Sequence, residues 1–274
     1  MINRAVRAAL LGLSLLAPTY GVASSRLTPS EKVVPVVNAK GDDNAIKVPF
    51  GIGERLEFEV RFGSIKVGTG SLEVRGIEAV RGRDAWHTLF NVQGGTFFYR
   101  VNDSYESWID THTLNSLLFI RHIEEGTRER SQNFEIIPEK GIYVERTLQE
   151  TKTMKTVSQP LDEGAFLYFI RTVPLKVGET YDFNRYFMPD RNPVRVTVLR
   201  KERVTVPAGT FNAIVVKPVI KTRGIFSQKG QAEVWLADDS TRMLLQVKSK
   251  LSFGSLNLYL KSYTPAAGQA KTRN

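Results

Sequence analysis

From Glu54 to Tyr263 one constraint recurs: short stretches of alternating apolar and polar residues, each ended by turn-forming residues. Leu56, Phe58, Val60 and Phe62 alternate with Glu57, Glu59 and Arg61, and a period of two places the four apolar side chains on one face of a strand. After Gly63-Ser64 the pattern resumes over Lys66 to Ile77, where Gly68 and Gly70 predict a bulge or a close backbone approach. Gly82-Arg83-Asp84 then turns the chain into Ala85 to Gln93, so three sequential antiparallel strands form a meander. Alternation fails between Gly94 and Trp108, the most aromatic stretch, which reads as a corner or short loop folding ring faces over an opening.

Strands follow over Leu114 to Glu125, Ser131 to Ile137, Gly141 to Leu148 and Thr151 to Val157. The second half continues with an aromatic-rich strand over Glu179 to Met188, then Val194 to Val206, Phe211 to Thr222, Ala232 to Ala237, Met243 to Ser252 and Ser255 to Tyr263. Pro207-Ala208-Gly209-Thr210 is a turn signal between two long strands. Only Pro160 to Pro174 departs from this pattern: Phe166, Phe169, Ile170 and Val173 fall at helical spacing, Pro160 and Asp162 supply a start, and Pro174 a stop. The fold class is therefore all-β, a single antiparallel curved sheet or open β-barrel of about a dozen strands, with one apolar helix packed on or in it.

Residues 1–23 carry Arg4 and Arg7, an apolar run from Ala8 to Ala17 and the small residues Gly21-Val22-Ala23, the pattern of a secretory signal cleaved near Ala23. Residues 24–47 read as a disordered leader, 48–265 as the β-barrel-like domain and 266–274 as a disordered tail. The chain has no cysteine, which excludes disulfides and the lipidated cysteine of a bacterial lipoprotein. No apolar run in the mature chain is long enough for a transmembrane helix. The expected location is the periplasm, without a lipid anchor. The formal net charge is +10, to which Arg4 and Arg7 contribute two, leaving +8 after cleavage. For an exported basic protein the acidic partners are lipid headgroups or anionic envelope polymers rather than nucleic acid.

Several blocks resemble the domain of unknown function 3108 family of exported bacterial proteins. They are Pro49-Phe50-Gly51-Ile52-Gly53-Glu54-Arg55-Leu56 with Gly68-Thr69-Gly70, then Asp103-Ser104-Tyr105-Glu106-Ser107-Trp108-Ile109-Asp110. The helix with Pro174-Leu175-Lys176-Val177-Gly178-Glu179, the turn Val206 to Phe211, and Ala232-Glu233-Val234-Trp235-Leu236-Ala237-Asp238-Asp239 complete the set. The resemblance covers roughly Val48 to Tyr263. It implies a shape similar to β-barrel proteins of capsule and envelope assembly and, more widely, to lipoprotein carriers that wrap acyl chains. It implies no reaction, and brings no catalytic residues with it.

The residues themselves point to binding rather than to a recognised chemistry. His87, His112 and His122 lack the paired spacing of a zinc site, and no metal or cofactor is expected. His87 and His122 are placed on wet strand faces. No Gly-x-Ser-x-Gly elbow is present; Asp103-Ser104 with His112 is the residual hydrolase combination, while Glu124-Glu125 and Asp238-Asp239 read as solvated turn acids. Candidate ligand-lining residues are Phe97, Phe98, Tyr99, Tyr105, Trp108, Phe166 and Phe169. Candidate anion-contacting residues are Arg100, Arg121 and Arg185, from a wider basic set that includes Arg128, Arg130, Arg191, Arg195, Arg200, Lys201 and Arg203. The resulting expectation is a non-catalytic periplasmic binding or accessory protein of the cell envelope, holding a lipid or an acidic polysaccharide. A scaffolding module that binds envelope proteins and an envelope hydrolase stand as the alternatives.

Overall fold

A computed structural model of the chain describes residues 34–35, 46–96, 99–221, 232–249 and 255–268. The signal expected at 1–23, most of the 24–47 leader, the end of the tail, and Phe97 and Phe98 lie outside these residues, and only the backbone of Tyr99 is described.

A two-residue strand β1 (Val34–Pro35) precedes β2 (Arg55–Phe62), β3 (Ile65–Val80), β4 (Arg83–Thr96), β5 (Tyr99–Asp110), β6 (Ser116–Glu125), β7 (Arg128–Ile137), β8 (Ile142–Arg146) and β9 (Thr151–Lys155). The helix α1 (Glu163–Phe169) follows, then β10 (Thr180–Phe183), β11 (Val194–Val206), β12 (Gly209–Val219), β13 (Glu233–Ala237), β14 (Leu244–Lys248) and β15 (Leu256–Thr264). One antiparallel sheet takes them in the order β10-β11-β12-β13-β14-β15-β2-β3-β4-β5-β6-β7-β8-β9, with β1 extending the row beside β3. Along this row every neighbouring pair except β15–β2 is consecutive in the sequence, and most are joined by short turns, the β12–β13 connection being longer. The sheet remains unclosed: β9 and β10 are its two edges.

Leu56, Phe58 and Val60 turn inward from β2, as their period predicts, and head one continuous core. Across the concave face a row of rings runs from Phe90 to Tyr105, Phe119, Phe134 and Tyr143, with neighbouring centroids 5.6–6.5 Å apart. Phe187, fully buried, closes that row from the segment that follows β10, 5.2 Å from Phe134 and 5.1 Å from Tyr143.

Three expectations need correction. Residues 99–110 are not a corner but a twelve-residue strand, β5, with one register shift against β6 between Trp108 and Ile109. Its inward positions Val101, Asp103, Tyr105, Ser107 and Ile109 include two polar groups, and these masked the apolar alternation. The strand expected over Glu179 to Met188 stops at Phe183, where the chain leaves the edge and turns back. The helix is shorter than Leu161 to Val173: α-helical geometry ends at Phe169 and one 3-10 turn, Ile170–Thr172, completes it. The glycine readings hold. β2 and β3 shift register opposite Gly68, and a Cβ on Gly68 or Gly94 would run into the facing backbone. The Val206 to Thr210 turn has Gly209 at φ 139°, open to glycine and strained for other residues.

Candidate functional site

The chain leaves edge β9 and returns to edge β10 through α1, so the helical segment spans the gap that the ladder leaves open. Thr156 Oγ1 donates to Phe187 O at 2.7 Å, and Leu161 bridges Tyr186 in parallel, with Leu161 N donating to Arg185 O and Phe187 N to Leu161 O. α1 starts at Asp162, whose Oδ1 accepts from Gly164 N (2.8 Å), Ala165 N (2.9 Å) and Ser107 Oγ (2.6 Å), while Asp162 N donates to Ser116 Oγ. The inward serines of β5 and β6 thus hold the helix start against the concave face. Gly164 makes this seat, because a Cβ there would lie 2.5 Å from Ser107 Oγ.

At the other end Arg171, fully buried, forms a two-pronged pair with Glu54 (Nη1–Oε1 2.6 Å, Nη2–Oε2 2.9 Å). It also donates to Pro49 O and Thr241 O, and lies over the rings of Phe50 and Tyr168. One guanidinium therefore joins the helix, the start of β2 and the β13–β14 connection.

Two flanks of this plug remain partly open. On one, the half-buried rings of Phe166, Phe169 and Phe183 cluster (Phe169–Phe183 5.2 Å, Phe166–Phe169 6.2 Å), and Tyr181 stacks on Phe183 at 6.1 Å. Arg185 lies 4.5 Å over Phe169. Its guanidinium donates to the Gln159, Thr113 and Leu114 carbonyls and to Asn115 Oδ1, and among the described residues no carboxylate reaches it. Burial pulls its pKa down to about 10.

On the other flank Glu163 Oε1 accepts from Tyr186 OH at 2.5 Å and lies 3.4 Å from Arg121 Nη1, and Arg191 Nη1 donates to Tyr186 OH at 3.4 Å. Arg121 Nε donates to Gln132 Oε1 at 2.7 Å, and Gln132 in turn donates to Glu145. The β7 register places Arg130 on the same inward face, two residues from Gln132. Burial, and then the nearby charge of Arg121, hold the Arg130 guanidinium below its usual range. Glu163 Oε2 is buried with no hydrogen-bond partner among the described residues.

The predicted residues therefore separate. Phe166, Phe169 and Arg185 meet at the seam. Arg121 lies on the adjoining flank. Tyr105 belongs to the filled ring row, Arg100 is exposed at the start of β5, and Trp108 faces outward. Of the wider basic set, Arg195 is paired with Asp182, Arg200 with Glu202 and Glu233, and Lys201 with Asp238. No local pattern marks Phe183, Tyr186 or Glu163 as site residues; the Tyr181-Asp182-Phe183 alternation signals a strand but not the partner of its face. His87 is not wet: it is buried, stacks on Trp108 at 4.3 Å, and holds Glu78 and Glu106 each at 2.9 Å from a ring nitrogen. That bond from His87 is the main cause of a lowered Glu106 pKa. Asp103 and Ser104, as strand neighbours, point to opposite faces, and His112 bonds Thr111. Among the described residues no three histidine or acidic side chains are grouped to hold a metal ion, and no helix is long and apolar enough to cross a membrane.

The sequence profile described as "Protein of unknown function (DUF3108)" matches residues 57–261. No curated protein matches the chain. Among solved structures, a β-barrel-like protein of domain of unknown function DUF1849 from Brucella abortus superposes with a TM-score of 0.51 at 10% identity, covering 80% of this chain and 99% of its own. It shares the fold. A candidate lipoprotein from Parabacteroides distasonis (TM-score 0.37, 11% identity, 79% and 98% covered) and a candidate exported protein with a YmcC-like fold from Bacteroides fragilis (0.29, 11%, 80% and 99%) also match. At those scores they carry no argument about this chain.

Proposed function

This chain belongs to the DUF3108 family, and we propose that it is a non-catalytic accessory protein of the cell envelope, exported to the periplasm, that holds an amphipathic anion along the seam between α1 and β10. The carrying observation is the half-buried row Phe166–Phe169–Phe183, ended by Arg185, a half-buried cation that among the described residues has carbonyl and amide oxygens as partners and no acid. An acyl chain matches the rings, and an acidic headgroup supplies the counter-charge that no described residue brings to Arg185. The N-terminal signal pattern and the basic net charge favour an envelope lipid over a cytosolic ligand.

The barrel interior is a poor carrier cavity, since Tyr168, Phe58, Phe119, Phe134 and Phe187 fill it. A ligand of this kind therefore lies in the seam rather than inside the sheet.

Native mass spectrometry of gently purified protein, together with co-sedimentation on phosphatidylglycerol and phosphatidylcholine vesicles, tests this. The expected result is lipid adducts and preference for the anionic vesicles, with the double substitution F166S/F169S abolishing uptake and Arg185→Gln removing the charge preference. A clean apo mass with no vesicle binding overturns the reading.

A further inference from the structure

On the outward face, away from the seam, β2, β3, β4 and β15 enclose an open depression of about 270 Å³, lined by Arg55, Glu57, Thr69, Ser71, Asn91, Gln93 and Lys261 together with Phe58 and Gly70. It lies beside the close approach of Gly68 and Gly94. These two glycines face each other inward, where neither could carry a Cβ, and directly beside them Thr69 pairs with Gln93 and Ser71 with Asn91 on the outward face. The lining is polar in a particular way. Arg55 is already paired with Glu57 and Glu73, and Glu57 also accepts from Ser262 Oγ at 2.7 Å. In contrast, among the described residues the side chains of Asn91, Gln93, Thr69, Ser71 and Lys261 have no hydrogen-bond or ion-pair partner.

Two amides and two hydroxyls converging on one hollow offer donors and acceptors in alternation, which is what a polyhydroxylated ring requires. A volume just under the roughly 300 Å³ of the smallest drug-sized pockets takes one unit of a chain, with the chain continuing through the open side. Arg55, Glu57 and Lys261 leave the lining with one net positive charge, and Lys261 lies near enough to Glu57 to help Ser262 and Arg55 hold its carboxyl below the usual range. We infer that this depression is a saccharide-binding site, seating one acidic sugar unit whose hydroxyls meet Asn91, Gln93, Thr69 and Ser71 and whose carboxylate meets Lys261. The site is independent of the seam, so either can fail without the other.

Isothermal titration of the full chain with trigalacturonate, and with neutral maltotriose as comparison, tests the assignment. Saturable binding of trigalacturonate is expected, weakened about tenfold or more in N91A/Q93A, as loss of two hydrogen-bonding groups predicts. Lys261→Gln is expected to erase the preference for trigalacturonate over maltotriose. Absence of saturable trigalacturonate binding by the parent chain overturns the inference, as does binding that N91A/Q93A, with an unchanged melting curve, leaves intact.

Discussion

Asp162 shows how much one side chain does here. It starts α1, receives Ser107, and has one oxygen, Oδ2, buried with no partner among the described residues. Burial pushes its carboxyl up from 3.8 to about 6, against the opposing pull of Ser107 and the helix amides. The folded state therefore holds this proton more tightly than the unfolded chain. Its contribution to stability is complete below about pH 3.8 and is lost as pH rises through about 6, on the order of 3 kcal/mol across that window. Asp162→Asn keeps the accepting oxygen and removes the titration; urea melts should show it equal to or more stable than the parent at pH 8, with the difference shrinking towards pH 4. A constant difference over that range would count against the assignment.

Arg171 is the opposite case, a charge whose partner is in place. Substituting methionine leaves Glu54 buried and unpaired, and an equilibrium melt should lose about 3–5 kcal/mol. The double substitution R171M/E54L should regain part of that loss, because it removes both charges from the interior. If the double change is as costly as the sum, the pair is not coupled as drawn.

At the scale of elements, α1 is held more by its seat than by its own propensity. It has seven residues, too few to persist alone, and is anchored by Ser107 at one end and Glu54 at the other. Gly164→Ala, which would favour an isolated helix, should destabilise this protein by about 1–3 kcal/mol through contact with Ser107. Adding Ser107→Gly should relieve the clash, and thermal melts of the single and paired variants would detect it. Tyr168 lies wholly buried with its hydroxyl unpartnered among the described residues. Tyr168→Phe should thus be neutral or stabilising, and a measured loss above about 1 kcal/mol would mean a partner exists.

For the molecule as a whole, the open seam predicts where it loosens first. β10 and β9 each pair on one side only, whereas β3, β4 and β5 lie between partners. Hydrogen exchange followed by mass spectrometry should find the β9 and β10 amides exchanging well before those of β3 to β5. Binding of an anionic lipid at the seam should slow β10 selectively. Uniform protection across all strands would mean that the α1 segment closes the barrel as firmly as a ladder does.

The sequence alone determined the class of this fold, because period-two alternation and its turn residues are local signals: Leu56, Phe58, Val60 and Phe62 turn inward whatever their neighbours are. It also located the helix, through Asp162 and the apolar spacing that follows. It misread β5, since Asp103 and Ser107 face inward for partners far away in the chain, Glu124 N and Asp162, that no local pattern displays. Only the tertiary structure decided that β9 and β10 do not pair, that α1 fills the gap between them, and that Phe183 and Arg185 stand beside Phe166 and Phe169. The physical reason is the same throughout: inward or outward is set along one strand, whereas the partner of a face is set by strand order and register across the whole sheet.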